Sequence, residues 1–289
     1  MHDLIELRSG DLCVEIAPPG SDYTASRFDW TTGVRQLTWK GHKYLTAENL
    51  GLPGPEGQGW GLSGEFGIQT PVGYDECPAG EWFPKLGIGL LQRSDARPYH
   101  FFRPYAVRPA RFEIHEEPGS VRLAAVQDEH RGWAWRLERH WSVEGNRLTL
   151  VTYLCNTGRH RLTTEEYIHN FLALEPGYRL EVPVELESEP LAEKVDPEQL
   201  LSVRGSRVEW KQRAAQDFFF SRTALPAPRH WTLRDPQAGT WLREDVTFEP
   251  TKFNLWGRGH VVSPELFWAV DLAQGDELVS TRVWSVGQD

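Results

Sequence analysis

The chain has 289 residues, of which 39% are hydrophobic and 12% aromatic, so its composition can supply a large core. Its formal net charge of −10 at pH 7 argues against a nucleic-acid or anionic-membrane surface, because both require a basic patch. Three widely spaced cysteines, Cys13, Cys77 and Cys155, suggest neither a disulfide framework nor a zinc site.

The first residues, 1–4, lack the basic and apolar regions of a signal peptide. No apolar run approaches the ~18 residues that a membrane span needs. These features predict a cytoplasmic protein with no membrane partner and no nucleic-acid partner, and they leave the oligomeric state open.

Short segments of alternating polarity run along most of the chain and predict strands. In chain order they are 11–16, 26–30, 34–39, 106–115, 121–128, 132–143, 147–156, 207–211, 217–220, 229–234, 240–244, 252–256, 260–272 and 277–286. Only residues 191–201 have the pattern of a short helix. Many strands with few short helices predict an all-β fold, a large sandwich or barrel, and we expect residues 1–289 to form a single domain.

Residues 51–82 interrupt this rhythm with nine glycines and four prolines. A loop of this length in a compact domain is usually functional or disordered, and aromatic residues such as Trp60, Tyr74 and Trp82 argue against disorder. The pattern therefore predicts an ordered loop that covers a site.

The stretch 164–174, Thr-Glu-Glu-Tyr-Ile-His-Asn-Phe-Leu-Ala-Leu, is predicted to be a strand with an unusual number of ionisable groups. Because strand side chains alternate, Glu165, Tyr167 and His169 share one face, roughly 7 Å apart at each step. The opposite face is mainly apolar, with two polar members, Glu166 and Asn170. We expect Glu166 to form a buried structural pair and the first face to form a site.

Three stretches, spread from about residue 11 to residue 286, carry a family resemblance. They are Val-Glu-Ile-Ala-Pro-Pro-Gly at 14–20 with Ser-Arg-Phe-Asp-Trp at 26–30, His-Asn-Phe-Leu-Ala-Leu at 169–174, and Val-Ser-Pro-Glu-Leu-Phe at 262–267 with Gly-Asp-Glu at 275–277 and Arg-Val-Trp at 282–284. In their order and spacing they resemble the first strands, the His-bearing strand and the Glu-bearing and terminal strands of the galactose mutarotase-like superfamily, the aldose 1-epimerase relatives.

The resemblance implies a large antiparallel β-sandwich that holds a mono- or oligosaccharide on a concave sheet face. It implies an aldose 1-epimerase-like isomerase acting on a free or modified monosaccharide, with Glu265 as general base and His169 as general acid. Carboxylates and imidazoles suit this reaction because their pKa values can be tuned toward neutrality. Neither a metal nor an organic cofactor is required.

The glycine-rich stretch is similar to an uncharacterised aldose-epimerase-like branch rather than to the galactose mutarotases proper. Those enzymes carry a second histidine in a His-Gly-Gly motif near this part of the chain, where residues 64–67 here read Gly-Glu-Phe-Gly. The resemblance therefore implies a site that lacks one of the two usual histidines, with Glu65 or Lys85 as candidates to replace it.

Further candidates for binding sugar lie around this pair. They are Glu65, Tyr74, Asp75 and Lys85 of the glycine-rich region, Glu165 and Tyr167 on the strand face of His169, and Arg103, a candidate to pair with an anionic substituent. For each of these residues the alternative is structural, a loop that only covers the sheet or a solvated surface charge.

Two other functions fit the same residues. One is a polysaccharide or oligosaccharide lyase, in which Tyr167 or His169 abstracts a proton beside a uronic carboxylate that Arg103 or Lys85 neutralises. The other is a sugar-binding protein that has kept an aromatic groove without productive acid–base geometry. A shared fold does not choose among the three.

Overall fold

The computed structural model describes residues 4–50, 58–187 and 191–289. Across these ranges the regular structure consists of 25 β-strands. In chain order the strands are β1 (Ile5–Ser9), β2 (Leu12–Ile16), β3 (Val34–Trp39), β4 (His42–Lys43), β5 (Leu62–Phe66), β6 (Trp82–Lys85), β7 (Gly89–Gln92), β8 (Val107–Pro109), β9 (Arg111–Glu117), β10 (Ser120–His130), β11 (Trp133–Glu144), β12 (Arg147–Asn156), β13 (Leu162–Asn170), β14 (Leu172–Ala173), β15 (Arg179–Glu181), β16 (Glu193–Val195), β17 (Leu201–Arg204), β18 (Arg207–Trp210), β19 (Ala214–Arg222), β20 (His230–Asp235), β21 (Thr240–Val246), β22 (Phe253–Gly259), β23 (Val261–Leu266), β24 (Trp268–Leu272) and β25 (Glu277–Gln288).

The strands form four antiparallel sheets. A seven-stranded sheet has the order β1-β2-β3-β5-β13-β24, with β4 beside β3. A ten-stranded sheet has the order β17-β18-β15-β20-β21-β25-β12-β11-β10-β9. Smaller sheets of five strands, β14-β23-β22-β19-β16, and of three, β6-β7-β8, complete the fold. The all-β prediction is confirmed.

The main core lies between the seven-stranded and ten-stranded sheets. Apolar side chains at every second position of both sheets meet there, including Val14 and Ile168 from one sheet and Leu150 from the other. Trp141 and Trp284 stack within this layer with ring centroids 5.8 Å apart. Alternation and burial together therefore give the antiparallel β-sandwich that the sequence predicts.

A buried ionic network lies behind β13. Arg139 donates hydrogen bonds to Asp29 (2.9 Å) and Glu166 (3.3 Å). Arg282 donates to Glu166 and Glu244, both at 2.8 Å. All five side chains are almost fully removed from solvent. The expected structural pair of Glu166 is thus confirmed, as part of a larger network.

The short helix expected over residues 191–201 is wrong, and no helix occurs in the described ranges. The segment instead contains the short strand β16 and a turn after it. The Asp196 carboxylate accepts hydrogen bonds from the backbone N–H groups of Leu200 and Leu201, and Gln199 has a φ of 51°. This local bonding competes with helix formation. Accordingly, the described residues contain no helix able to cross a membrane.

The glycine-rich region is only partly a loop. Residues 51–57 lie outside the described residues, but Leu62–Phe66 form β5, a fully buried strand between β3 and β13. Glycine is needed here for close packing, because a Cβ on Gly61 would lie 1.8 Å from the carbonyl oxygen of Val34. Conversely, residues 26–30, predicted as a strand, have no regular structure.

Candidate active site

A cleft of about 460 Å³ opens where β13 meets the five-stranded sheet. Tyr167 and His169 of β13 line one side of it. Glu265 of β23 and Asn254 and Trp256 of β22 line another. The face of β13 that was predicted to carry a site is therefore the face that borders the cleft.

His169 and Glu265 meet within the cleft. The Nε2 atom of His169 lies 3.5 Å from Oε1 of Glu265, and both residues are only 4% exposed. Ser263 links their strands: its Oγ accepts a hydrogen bond from the Asn170 backbone N–H (3.0 Å) and donates one to Glu265 Oε1 (3.2 Å). The polar faces of β13 and β23 therefore converge, as an acid–base pair requires.

Burial controls the charges of this pair. Removal from water raises the pKa of Glu265 to about 8, although the hydrogen bond from Ser263 and the charge of Arg27 oppose the rise. Burial, reinforced by the positive charge of Arg27, holds the pKa of His169 well below its usual value. At neutral pH these shifts favour a protonated Glu265 carboxyl group beside a neutral imidazole.

Aromatic rings fix the imidazole of His169. Its ring stacks on Phe171 at a centroid distance of 3.9 Å and an interplanar angle of 6°. Phe28 and Trp256 contact it edge to face, at 6.0 and 5.2 Å. The Nδ1 atom has no hydrogen-bond partner within the described part of the chain. Nε2, which faces Glu265, is thus the nitrogen placed for proton exchange.

Arg27 contributes a buried cation to the cleft wall. It donates hydrogen bonds from Nε to Glu65 Oε2 (2.9 Å) and from Nη2 to the hydroxyl of Tyr167 (3.3 Å). Tyr167 in turn donates to the same Glu65 oxygen at 2.7 Å. Glu65 therefore lies behind Arg27 and Tyr167, which both line the cleft, and acts through them.

Lys85 is buried behind Glu65. Its Nζ lies 3.9 Å from Glu65 Oε1 and donates to the carbonyl oxygen of Phe66 (2.6 Å) and to the hydroxyl of Tyr99 (3.1 Å). Burial lowers the pKa of Lys85 to about 8. Neither Lys85 nor Glu65 is among the described residues that line the cleft, so they do not take the position of a second substrate-facing histidine.

Two phenylalanines from an irregular segment cover Arg27. Its guanidinium carbon lies 4.6 Å from the ring centroid of Phe101, 4.9 Å from that of Phe102 and 4.4 Å from that of Phe28. Cation–π contacts of this kind hold the guanidinium in place. Phe102 remains 44% exposed, so an aromatic surface stands at the mouth of the cleft.

The structure does not bring Tyr74, Asp75 or Arg103 to the cleft. The Tyr74 hydroxyl is buried against the carbonyl oxygen of Arg97, Asp75 is exposed, and Nη1 of Arg103 lies 3.5 Å from Asp95. These three were expected to bind substrate, but the structure places them away from this cleft. They lie on the segments that flank the three-stranded sheet, outside the cleft lining.

Glu165 lies beside the cleft and forms an ion pair with Lys252. Nζ of Lys252 donates to both Glu165 carboxylate oxygens, at 3.1 and 3.0 Å. The same ammonium lies 3.9 Å from the ring centroid of Phe267. Lys252 lines the cleft, so Glu165 orients a cation that faces the ligand space.

Sequence reasoning missed several residues that line the cleft, namely Arg27, Phe101, Phe102, Lys252, Asn254 and Trp256. The first three lie in irregular segments, where no periodicity marks the direction of a side chain. The last three occupy alternate positions of β22 or its approach, and this alternation, 252, 254, 256, is the signal that was available. The described residues hold no group of three metal-ligating side chains arranged for a metal ion.

No family model and no curated protein matches the chain by sequence. Solved structures do match it by shape. A protein from Escherichia coli K12 with a provisional assignment as an aldose 1-epimerase aligns with a TM-score of 0.64 and 13% identity, covering 99% of both chains. A galactose mutarotase-like protein from Clostridium acetobutylicum aligns at 0.60 and 12%, covering 99% of this chain and 95% of that one.

A galactose mutarotase related enzyme from Lactobacillus acidophilus aligns with a TM-score of 0.60 and 10% identity, covering 99% of this chain and 97% of its own. At such identities the likeness concerns the fold. The chain therefore has the galactose mutarotase-like fold, and the resemblance seen in its sequence is confirmed at that level.

Proposed function

We propose that this chain, with its galactose mutarotase-like fold, is a carbohydrate-active isomerase that interconverts the anomers of a sugar. The observation that carries the proposal is the buried contact of 3.5 Å between Nε2 of His169 and Oε1 of Glu265 inside an aromatic-lined cleft. Among solved proteins of the same fold, one has a provisional assignment as an aldose 1-epimerase and another is described as a galactose mutarotase related enzyme, which supports the reaction class.

The reaction needs one proton acceptor and one proton donor. The acceptor removes the proton of the anomeric hydroxyl while the donor protonates the ring oxygen, so the ring bond breaks and a carbonyl forms. The carbonyl rotates, and the reverse proton transfers close the ring on its other face. Because both oxygens are bonded to one carbon, two groups in mutual contact can serve both of them.

With Glu265 protonated and His169 neutral, the carboxyl group supplies the acidic proton that this exchange requires. Transfer of that proton from Glu265 to Nε2 of His169 gives a carboxylate beside an imidazolium. In this form Glu265 is the base and His169 the acid. Arg27, 3% exposed and lining the cleft, supplies hydrogen-bond donors to the sugar and takes the place of the second histidine.

The charges of the cleft favour a neutral sugar. Among the residues that the structure describes, three cations line it, and each lies against a carboxylate: Arg27 with Glu65 (2.9 Å), Lys252 with Glu165 (3.0 Å) and Arg258 with Asp217 (3.2 Å). A phosphate or uronate would have to displace one of these partners. This argues against the lyase alternative, for which neither Arg103 nor Lys85 reaches the cleft.

The proposal is tested by dissolving single anomers of neutral aldoses and following their equilibration by polarimetry or one-dimensional NMR. We expect the protein to accelerate equilibration above the buffer rate. Unchanged rates across the aldoses and their reducing oligosaccharides would refute the isomerase. An ultraviolet-absorbing product from a uronate-containing glycan would establish the lyase instead.

The pH dependence of this activity follows from the pair. After the buffer-catalysed rate is subtracted, we expect kcat/KM to be level through neutral pH. Above about pH 8, the pKa of Glu265, the carboxyl group loses the proton that it would pass to His169, so kcat/KM falls about tenfold per pH unit. Below the depressed pKa of His169 both groups are protonated and the rate falls again. A corrected rate that still rises beyond pH 9 would contradict the proposed pair.

A further inference from the structure

The cleft extends well past the acid–base pair along the five-stranded sheet. The strand register places Glu265 beside Asn254, Asn254 beside Ser221 and Ser221 beside Glu193. With neighbouring strands ~4.8 Å apart, Glu193 lies roughly 14 Å from Glu265 across the sheet. Glu193 nevertheless lines the same cleft.

One sugar ring does not fill this length. A monosaccharide in contact with His169 and Glu265 covers about two strands at ~4.8 Å each, which takes it across β23 and β22. The cleft lining from β19 and β16 then remains free. That part of the floor is built by Asp217, Phe219 and Glu193.

The chemistry of the free part suits a second sugar ring. Phe219 stands beside Trp256 in the register, so the aromatic surface continues from one strand to the next. Phe219 is half-buried, which leaves ring surface for the apolar C–H face of a sugar. Asp217, paired with Arg258 at 3.2 Å, and the exposed Glu193 offer charged partners for hydroxyl groups around that ring.

We propose that the cleft has a second subsite, and that the substrate is a neutral reducing disaccharide or longer oligosaccharide. Its reducing ring lies on His169 and Glu265, and its next ring lies over Phe219, with hydroxyls bonded to Asp217 and Glu193. This inference rests on the proposed isomerase function and specifies the substrate class of the same site.

The test compares kcat/KM for anomer interconversion of glucose with that of disaccharides whose reducing ring is glucose: maltose, cellobiose and lactose. We expect at least one disaccharide to exceed glucose by tenfold or more. Phe219→Ala should lower that ratio of disaccharide to glucose about tenfold. Tyr153→Ala, an exposed aromatic on β12 outside the cleft, should leave the ratio unchanged.

Ratios near one for all three disaccharides, or an equal loss for glucose and disaccharide in Phe219→Ala, would overturn the subsite. If no sugar is turned over, the subsite is tested instead by measuring the binding of the same four sugars by calorimetry. Disaccharide binding at least tenfold tighter than glucose binding, and weakened in Phe219→Ala, would support the subsite. The isomerase proposal would then be refuted without affecting the subsite. Equal binding, or none, would overturn the subsite as well.

Discussion

Replacing Glu265 by glutamine is expected to lower kcat/KM for anomer interconversion by about a thousandfold. Glutamine fills the same space and can still accept the hydrogen bond from Ser263. It cannot exchange a proton at neutral pH, and a positioned general acid or base typically contributes 10²–10⁴-fold. His169→Gln removes the other half of the exchange and should cause a loss of similar size. Equilibration of a freshly dissolved anomer, followed by polarimetry, measures both.

Controls separate lost chemistry from lost structure. Glu277→Gln, an exposed carboxylate on β25, should keep the wild-type rate. The double variant Glu265→Gln/His169→Gln should be little slower than either single variant, because the two groups act as a unit. Either single variant with more than a tenth of wild-type kcat/KM would show that the pair is not the acid–base machinery.

Although Glu265→Gln should lower activity, it should not lower the stability of the fold at alkaline pH. The folded-state pKa of Glu265 is raised to about 8, so the stability that its protonated form provides at low pH is lost as the pH rises through 8. Glutamine does not ionise, so it does not lose this stability at high pH. Thermal unfolding above pH 8 should therefore find the inactive variant at least as stable as the wild type, which confirms that it is folded.

The sequence predicted β13 well because the information is local. A strand alternates with a period of two, so Glu165, Tyr167 and His169 had to share one face and Glu166 and Asn170 the other. The contacts agree with this: Tyr167 and His169 line the cleft, whereas Glu166 and Asn170 bond to the network in the core. Glu165 and His169 are polar because they border a cleft, and Glu166 because two arginines meet it in the core.

The rest of the site depends on contacts between distant parts of the chain. Arg27 lies in a segment with no regular structure, and it reaches Glu65 and Tyr167 across 38 and 140 residues of sequence. No periodicity predicts such a contact. The sequence did not show that Tyr74 and Arg103 lie away from the cleft for the same reason, because nothing local shows which way a side chain in a loop will point.

Glycine misled the prediction of residues 51–82 because it serves two purposes. It permits turns, which suggested a loop, and it also permits close packing. In β5 the second purpose dominates: a Cβ at Gly64 would lie 3.0 Å from the Thr32 side chain. The region near the missing His-Gly-Gly motif is therefore a core strand whose Glu65 supports Arg27 from behind. This is why an arginine, and not a residue of that strand, reaches the cleft.

The ionic network behind β13 gives the largest expected effect on stability. Arg282→Met should lower the free energy of unfolding by about 3–5 kcal/mol, because it leaves Glu166 and Glu244 buried without their shared cation. The loss should be smaller at pH 5 than at pH 8, because burial already raises the pKa of Glu244 and its neutral form needs no cation. Denaturant unfolding at both pH values measures the change.

Arg136→Met is the matched control, since that arginine pairs with Glu138 at 2.7 Å on a partly exposed face and should cost at most about 1 kcal/mol. A loss below 1 kcal/mol in Arg282→Met would mean that the buried carboxylates find other partners.

The network also supports the cleft. Asn170 donates to Glu244 (3.2 Å) and to the carbonyl oxygen of Pro264 (2.7 Å), the residue before Glu265. Loss of Arg282 should therefore reduce kcat through the position of Glu265 even where the variant remains folded.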